Sequence, residues 1–384
     1  MYQRNAFSSH DTIKMLSLNL GMMMADGNMY IRAITIAVVG PSAVVLAAYN
    51  KYTCTLLIWF FFFFGMLEWA RLKRHIKMAL AMGIHIKGEN KLCESLPREY
   101  PTPILPIDGL AIFETFVLSF VPIAACIGAE FFWAFLVLYF LAWSFFTLWG
   151  DGAEKFIVFI FNKIMSRSDT LNIASKKKPS TINITEFPVL QVFLHEELRM
   201  KSEREPIELL FDFCLEYFGF IWVTGVTFPL LVYDYAGIGK PWILATLVGN
   251  FSVDIVALLV GRALKGRTHP LCSSISPQKS LEGAFFGVIA NAVVFATILN
   301  FSSGGSEGVS SPHFSYFVNL AFGLVLGVSG VMGDLLQSLL KRAAHVKDSG
   351  MLMPGHGGVL DRIDGLLLVF PTMYVCLRLI IGFA

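Results

Sequence analysis

Charged side chains are scarce in this chain, and this scarcity narrows the class of protein. Only 15% of the 384 residues are Asp, Glu, Lys or Arg, whereas soluble domains average about 25%. Hydrophobic residues make up 55% of the sequence, and the mean hydropathy is +0.63. The composition therefore argues against a large soluble enzyme.

Other familiar signals are also missing. The 30 Lys and Arg residues are balanced by 28 Asp and Glu residues, so no nucleic-acid-binding surface is indicated. The six cysteines are scattered without a Cys-x-x-Cys pair, which gives no pattern for a zinc site or a disulfide scaffold. The stretch 195–199 starts with His-Glu but lacks the second His of a zinc protease. We find no dinucleotide fingerprint, Walker A loop or nucleophile elbow.

Long apolar runs are abundant instead. They cover residues 31–48, 53–67, 109–127, 130–148, 207–232, 241–260, 281–300, 315–333 and 365–383. Runs of about 20 apolar residues are long enough to cross a bilayer as helices. The sequence therefore predicts an all-α, polytopic transmembrane protein with about nine spans, integral to a membrane.

The positions of the positive charges predict a topology. If the N-terminus is cytoplasmic, 27 of the 30 Lys and Arg residues fall in segments on the cytoplasmic side, as the positive-inside rule expects. We predict an N-in, C-out arrangement of three regions. They are N-terminal helices at 1–148 with a cytoplasmic loop at 68–108, a cytoplasmic insert at 149–206, and a catalytic transmembrane region at 207–384.

Asp254 is the first polar residue in unexpected surroundings. It lies seven residues before the end of its predicted helix, or roughly 10 Å deep at 1.5 Å per residue. A charge at that depth is unfavourable and marks either a polar cavity or a structural pair with Lys or Arg. The helix ends at Arg262, in a short basic turn suited to anion contact.

Lys279 and Glu282 are predicted to begin the next apolar helix on the cytoplasmic side. Ser276-Pro277 opens a turn before them. Backbone N–H groups at a helix start favour an anion. Ordinary capping by Ser280 and Glu282 explains the same pattern equally well.

The densest polar segment is 333–364. If the preceding helix continues into it, Asp334, Ser338 and Lys341 lie on one face at i, i+4 and i+7. A run containing several glycines follows, and such turns expose backbone N–H groups suited to phosphate oxygens. Asp361 and Asp364 come next. Carboxylates, cations and a glycine-rich loop favour a metal–phosphate site over a proton relay or a solvated loop.

The segment 338–364 resembles the signature of the phosphatidate cytidylyltransferase (CDP-diacylglycerol synthase) family. The matching elements are Ser338, Lys341-Arg342, Lys347-Asp348, Gly350, His356-Gly357-Gly358 and Asp361-Arg362-Ile363-Asp364. Met353 stands where that signature usually has Leu, Ile or Phe.

Two upstream elements resemble the same family, with departures. Asp254, Ala257 and Gly261-Arg262 match an Asp-x-x-Ala-Tyr-x-x-Gly-Arg pattern, except that Leu258 replaces the aromatic residue. The segment 276–283 resembles Ser-Pro-Lys-Lys-Thr-Trp-Glu-Gly, with changes at Gln278, Ser280 and Leu281. In the N-terminal half, the resemblance is limited to one feature, a glutamate (Glu68) that follows a short apolar helix.

The resemblance implies transfer of CMP from CTP to phosphatidic acid at a site that needs Mg²⁺ and a second metal ion. It implies Asp334 and Asp361 as metal ligands, with Ser338 and Lys341 beside them in the catalytic group. The remaining candidates contact or orient substrate: Asp254, Arg262, Lys279, Arg342, Lys347, His356 and Asp364.

Alternatives remain open from the sequence. A related cytidylyltransferase or a kinase acting on another lipid phosphate or polyprenol is one alternative, although the motif disfavours the kinase. A secondary transporter would explain a buried Asp254 but not the glycine-rich, basic loop. The expected partners are CTP, phosphatidic acid and the lipid bilayer, with no nucleic acid. The sequence leaves open whether the protein forms a homo-oligomer. The motif wording favours a bacterial inner (plasma) membrane with a cytoplasmic active site.

Overall fold

A computed structural model describes residues 44–86, 109–149, 206–235, 238–264, 267–303, 315–350, 352 and 357–383. The helices are α1 (Lys51–Ile86), α2 (Gly109–Leu118), α3 (Val121–Ile127), α4 (Ala129–Trp149), α5 (Pro206–Thr224), α6 (Phe228–Val232), α7 (Gly239–Ala263), α8 (Leu281–Ser303), α9 (Tyr316–Ala343), α10 (Leu360–Ile363) and α11 (Leu366–Phe383). A 3₁₀ turn, Gly225–Thr227, joins α5 to α6. The described part of the chain is therefore predominantly helical, as predicted.

Five helical segments are long and apolar enough to cross a membrane, judged by length and composition. They are Lys51–Lys77, Pro206–Val232, Gly239–Ala263, Leu281–Ser302 and Tyr316–Ala343. Three shorter apolar segments are Ala111–Ile127, Ala129–Phe145 and Leu366–Leu379. The first predicted span, 31–48, lies almost entirely outside the described residues. These helices are those expected of an integral membrane protein.

The boundaries of three predicted spans differ from the structure. The segment predicted at 53–67 belongs to the much longer α1. The segment predicted at 109–127 is divided between α2 and α3, and the one at 207–232 between α5 and α6. Pro122 and Pro229 each lie in the first turn of the second helix. Proline is favoured there because its missing N–H group leaves no helical hydrogen bond unmade.

A two-stranded hairpin interrupts the helical pattern between α7 and α8. Strand β1 (Pro270–Cys272) pairs antiparallel with β2 (Ser276–Ser280), with a bulge in the register. The backbone N–H of Leu281 donates to the carbonyl of His269 at 2.8 Å, which closes the hairpin. Lys279 therefore lies in a strand and not at a helix start, which corrects that prediction.

Helices α7, α8 and α9 pack closely and form one side of the fold. A Cβ on Gly323 would lie 2.6 Å from the Cα of Ala292, so α9 and α8 approach backbone to backbone. The side chain of Asn291 donates to the carbonyl of Gly323 at 2.6 Å across that contact. Small residues with interhelical hydrogen bonds are the usual means of helix association in membranes.

Ion pairs connect α1 to its neighbours at both ends. Near its start, Lys51 pairs with Asp234, just after α6. Farther along α1, Lys73 pairs with Glu216 and Lys77 with Asp212, both on α5. These pairs fix α1 and α5 as antiparallel neighbours.

Candidate active site

Helix α9 carries the three polar residues that were predicted to share one face. It is continuous from Tyr316 to Ala343, so Asp334, Ser338 and Lys341 share one face as expected. Gly333 lies against the link between α10 and α11, where a Cβ would be 2.7 Å from the carbonyl oxygen of Asp364. The glycine therefore lets that link reach α9 next to Asp334.

The hairpin brings Lys279 to this face. Its ammonium forms an ion pair with Oδ2 of Asp334. The side chain of Asp334 keeps 23% of its exposure, so its carboxylate is accessible to a ligand. The pairing joins two segments that were predicted separately as phosphate-binding and metal-binding.

The carboxylate of Asp361 is more deeply buried than that of Asp334 and accepts more hydrogen bonds. Its Oδ1 accepts a hydrogen bond from Lys341 Nζ at 2.8 Å. Its Oδ2 accepts the backbone N–H groups of Ser349 at 2.8 Å and Gly358 at 3.0 Å. The side chain is only 3% exposed, and three donors offset the free-energy cost of burying its charge. Asp361 thus fixes the segments on both sides of the glycine-rich loop to α9.

Asp254 and Asp364 belong to the same electrostatic cluster. The cations of Lys279 and Arg362 act on the carboxylate of Asp254. Burial raises the pKa of Asp364 to about 6, and the negative charge of Asp254 contributes to the rise. Burial also lowers the pKa of Lys279, while the carboxylates of Asp364 and Asp254 oppose that shift. Opposite charges thus surround the face of α9.

Three other candidates are surface cations. Arg262 and Lys347 are exposed. Arg342 is also exposed, and its Nε donates to the carbonyl of Ile275 in the hairpin at 3.3 Å. His356 lies outside the described residues. The structure therefore brings together Asp254, Lys279, Asp334, Lys341, Asp361 and Asp364. It joins Arg342 to the hairpin that carries Lys279.

Ser280 caps helix α8, whereas Glu282 does not. Ser280 Oγ accepts the backbone N–H of Gly283 at 3.1 Å. The carboxylate of Glu282 accepts the backbone N–H of His269, before the hairpin, at 3.0 and 3.1 Å. The capping explanation therefore accounts for Ser280, while Glu282 ties the start of α8 to the hairpin.

Two residues that matter for the site carried little or no signal in the sequence. Ser349 donates its N–H to Asp361 and its hydroxyl to Glu68 on α1. Glu68 was noted only for a faint resemblance. Its position as a lone carboxylate after an uninterrupted apolar run was the available signal.

The carboxylates of this cluster offer few ligands for a metal ion. Within the described ranges, no three His, Cys, Asp or Glu side chains converge in a group that could hold a metal ion. Asp334 offers an accessible carboxylate whose partner, Lys279, a cation could replace. Asp361 would have to exchange Lys341 for the ion at Oδ1. Asp334 therefore fits a hard cation such as Mg²⁺, together with ligands from substrate phosphates.

Comparison with known proteins places this site in a family. The model of the cytidylyltransferase family matches residues 30–380, which include the whole cluster. The chain belongs to the cytidylyltransferase family. This membership confirms the resemblance noted in the signature segment.

Individual relatives carry a more specific name. A chloroplastic phosphatidate cytidylyltransferase 5 of Arabidopsis thaliana is 39% identical over 189 residues, 44% of this chain and 44% of the relative. The phosphatidate cytidylyltransferase of Bacillus subtilis is 37% identical over 173 residues, 44% of this chain and 61% of the relative. That of Thermotoga maritima is 35% identical over 151 residues, 38% of this chain and 53% of the relative. The matched stretches thus span about half of these relatives' length.

Proposed function

We propose that this cytidylyltransferase-family protein transfers CMP from CTP to phosphatidic acid, forming CDP-diacylglycerol and pyrophosphate. The observation that carries the proposal is the convergence of Lys279, Asp334, Lys341 and Asp361 from three separate elements. Lys341 and Asp361 belong to the signature segment on which the resemblance rests, and Lys279 to an upstream element that resembles the same family. The names of the relatives from bacteria and a plant support the same substrates.

The chemistry requires two polyanions to approach each other. An oxygen of the lipid phosphate attacks the α-phosphorus of CTP, a new P–O bond forms, and pyrophosphate leaves with the electron pair of the broken bond. The lipid phosphate is ionised near neutral pH, so no strong general base is needed. Catalysis then depends on positive charge placed where negative charge develops.

The chain supplies that positive charge with two groups of residues. Lys279 and Lys341 lie at the centre, each oriented by a carboxylate, and either ammonium can bind a phosphate oxygen. Arg262, Arg342 and Lys347 are exposed cations, and we assign them to the triphosphate of soluble CTP. Ser338 lies on the same face of α9 as Asp334 and Lys341. We assign both Ser338 and His356 to substrate positioning.

Mg²⁺, with a second metal ion, is part of the proposal. Asp334 is the residue that would hold it, and the assignment of Asp361 as a further ligand stays a prediction. When bound, the ion would neutralise phosphate oxygens and stabilise the leaving pyrophosphate. Asp254 and Asp364 are proposed to orient the lysines around it.

A membrane location follows from the acceptor, since phosphatidic acid resides in the bilayer. We propose the N-in, C-out topology with a cytoplasmic active site, in the inner membrane if the protein is bacterial. The ion pair of Lys51 with Asp234 supports it, because both residues lie in segments predicted outside. The pair of Lys279 with Asp334 joins two segments predicted inside.

The function is tested by acceptor choice. Purified protein in lipid nanodiscs is given CTP labelled at the α-phosphorus, with phosphatidic acid, polyprenyl phosphate or no added acceptor. Labelled CDP-diacylglycerol formed only with phosphatidic acid is the expected result. Labelling of polyprenyl phosphate instead would assign a related acceptor. In parallel reactions with CTP labelled at the γ-phosphorus, transfer of label to lipid would assign a kinase. Absence of transfer with either label would leave transport as the explanation.

A further inference from the structure

Glu68 is a buried carboxylate far from the signature segment in sequence. It lies on α1 within an apolar segment long enough to cross a membrane, between Leu67 and Trp69, and is 4% exposed. A carboxylate in such surroundings is unfavourable unless donors surround it. Its partners therefore indicate why the fold keeps it there.

Those partners all belong to the segments on either side of the glycine-rich loop. Oε1 accepts the backbone N–H of Val359 at 2.8 Å. Oε2 accepts the hydroxyl of Ser349 and the backbone N–H of Leu360, both at 2.9 Å. One side chain of α1 thus binds residues that precede and follow the loop.

Two glycines of the signature give the carboxylate room. A Cβ on Gly350 would lie 2.3 Å from Oε1 of Glu68, and one on Gly358 would lie 2.5 Å from Oε2. Real Cβ contacts are not this short. The backbone of the signature segment is therefore shaped around Glu68, and phosphate binding is not the only reason for glycine at these positions.

The contact reaches the proposed catalytic centre through Ser349. The same serine donates its hydroxyl to Glu68 and its backbone N–H to Asp361. Leu360, whose N–H binds Glu68, directly precedes Asp361 in the chain. A shift of the Glu68 carboxylate would therefore move Asp361, and with it the Lys341 ammonium.

We propose that Glu68 is a positioning residue that fixes the residues on either side of the glycine-rich loop, and through them Asp361 and Lys341, to α1. Its effect on turnover rests on the proposed cytidylyltransferase function, whereas its effect on loop structure does not. Because three protein donors surround the carboxylate, Glu68 acts through the loop and not by touching substrate. The N-terminal helices thereby contribute to the geometry of a site whose signature lies entirely after residue 253.

Hydrogen–deuterium exchange tests the docking independently of activity. In wild-type protein the amides of Val359 and Leu360 should exchange slowly, since Glu68 accepts both. In Glu68→Gln, which is isosteric but uncharged and offers one acceptor atom fewer, both should exchange at least about tenfold faster. Glu130→Gln, on an exposed side chain of α4, is the matched control and should leave both rates unchanged.

Kinetics then tests the positioning role. In Glu68→Gln, kcat should fall by at least about tenfold while the KM for CTP changes by less than about threefold. The reason is that the exposed cations assigned to CTP (Arg262, Arg342 and Lys347) are unchanged. Ser349→Ala removes one of the three donors and should produce part of the same effect. The double variant should be less impaired than the product of the two single effects.

Several outcomes would overturn the proposal. Fast exchange of Val359 and Leu360 in the wild type would do so without any variant. Unchanged exchange in Glu68→Gln, or strictly multiplicative kinetic effects, would do so as well. If the wild type transferred no CMP but the exchange results held, the docking would stand and only the proposed function would fail.

Discussion

At the scale of single residues, two lysine–carboxylate pairs form the centre of the site, and they differ in burial. The Lys279–Asp334 pair is partly accessible, whereas the carboxylate of the Lys341–Asp361 pair is almost fully enclosed. An accessible carboxylate can exchange its lysine for a ligand, whereas an enclosed carboxylate needs its lysine to offset the cost of burying its charge. We therefore expect the two pairs to respond differently to substitution.

Removing Lys341 should destabilise the protein. Lys341→Met leaves the Asp361 charge buried with only its two backbone donors, and breaking a buried pair costs about 3 kcal/mol or more. Lys347→Met, at an exposed position in the same segment, should change stability by less than about 0.5 kcal/mol. Denaturant unfolding in detergent micelles measures both variants. Equal stability of the two would contradict the enclosed role of Lys341.

The residue pattern of this centre was only partly predictable. The stripe of Asp334, Ser338 and Lys341 follows from the helical repeat, which is a local property of the sequence. Their partners Lys279 and Asp361 come from other elements, so no spacing rule could pair them. Glu68 was the least predictable, because its three donors lie more than 280 residues away along the chain.

At the scale of elements, the glycines of α9 determine how closely the helices pack. Gly323 lies against the backbone of α8, and Gly333 lies against the link that leads from α10 to α11. Side chains at these positions would push those elements apart. The placement of Asp334 therefore depends on the packing of α9 along much of its length.

Gly323→Ala should expose this dependence. The added Cβ would meet the Cα of Ala292 at 2.6 Å, and overpacking of this kind costs about 1–3 kcal/mol. Gly128→Ala is the control, because its added Cβ would have no neighbour nearer than 3.9 Å. The midpoint of thermal unfolding in micelles should fall for Gly323→Ala alone. A fall of the same size for both variants would show that the contact at Ala292 is not the cause.

The elements themselves were predicted better than their boundaries. Apolar length identified the described helices, but hydropathy does not register a break between two apolar segments. Pro122 and Pro229 were the local signals for the divided spans. The hairpin was missed because both strands are short, β2 is polar, and the pairing depends on a turn that composition does not specify.

At the scale of the whole molecule, ion pairs lie at both ends of the apolar segment of α1 and show which described segments share an end. Lys51 meets Asp234 at one end, and Lys77 meets Asp212 at the other. The signature segment docks on α1 at Glu68, nine residues before Lys77. The proposed topology places that second end, and the site with it, in the cytoplasm.

Cysteine labelling tests this topology. In a background without the native cysteines, Gly305→Cys should react rapidly with a membrane-impermeant maleimide in intact cells, because 301–314 is predicted outside. Leu352→Cys, an exposed position beside the site, should react only after the membrane is permeabilised. The reverse pattern would invert the proposed orientation.

The most direct test of the central claim is CMP transfer by purified wild type and Asp334→Asn over a Mg²⁺ titration. The wild type should convert phosphatidic acid and CTP labelled at the α-phosphorus into labelled lipid, with one pyrophosphate released per turnover. Asp334→Asn keeps the shape but removes the charge that would hold the ion, so kcat should fall by about 100-fold or more while the protein remains folded. Glu130→Gln should match the wild type. Near-normal turnover of Asp334→Asn at ordinary Mg²⁺, or no labelled lipid from the wild type, would contradict the account.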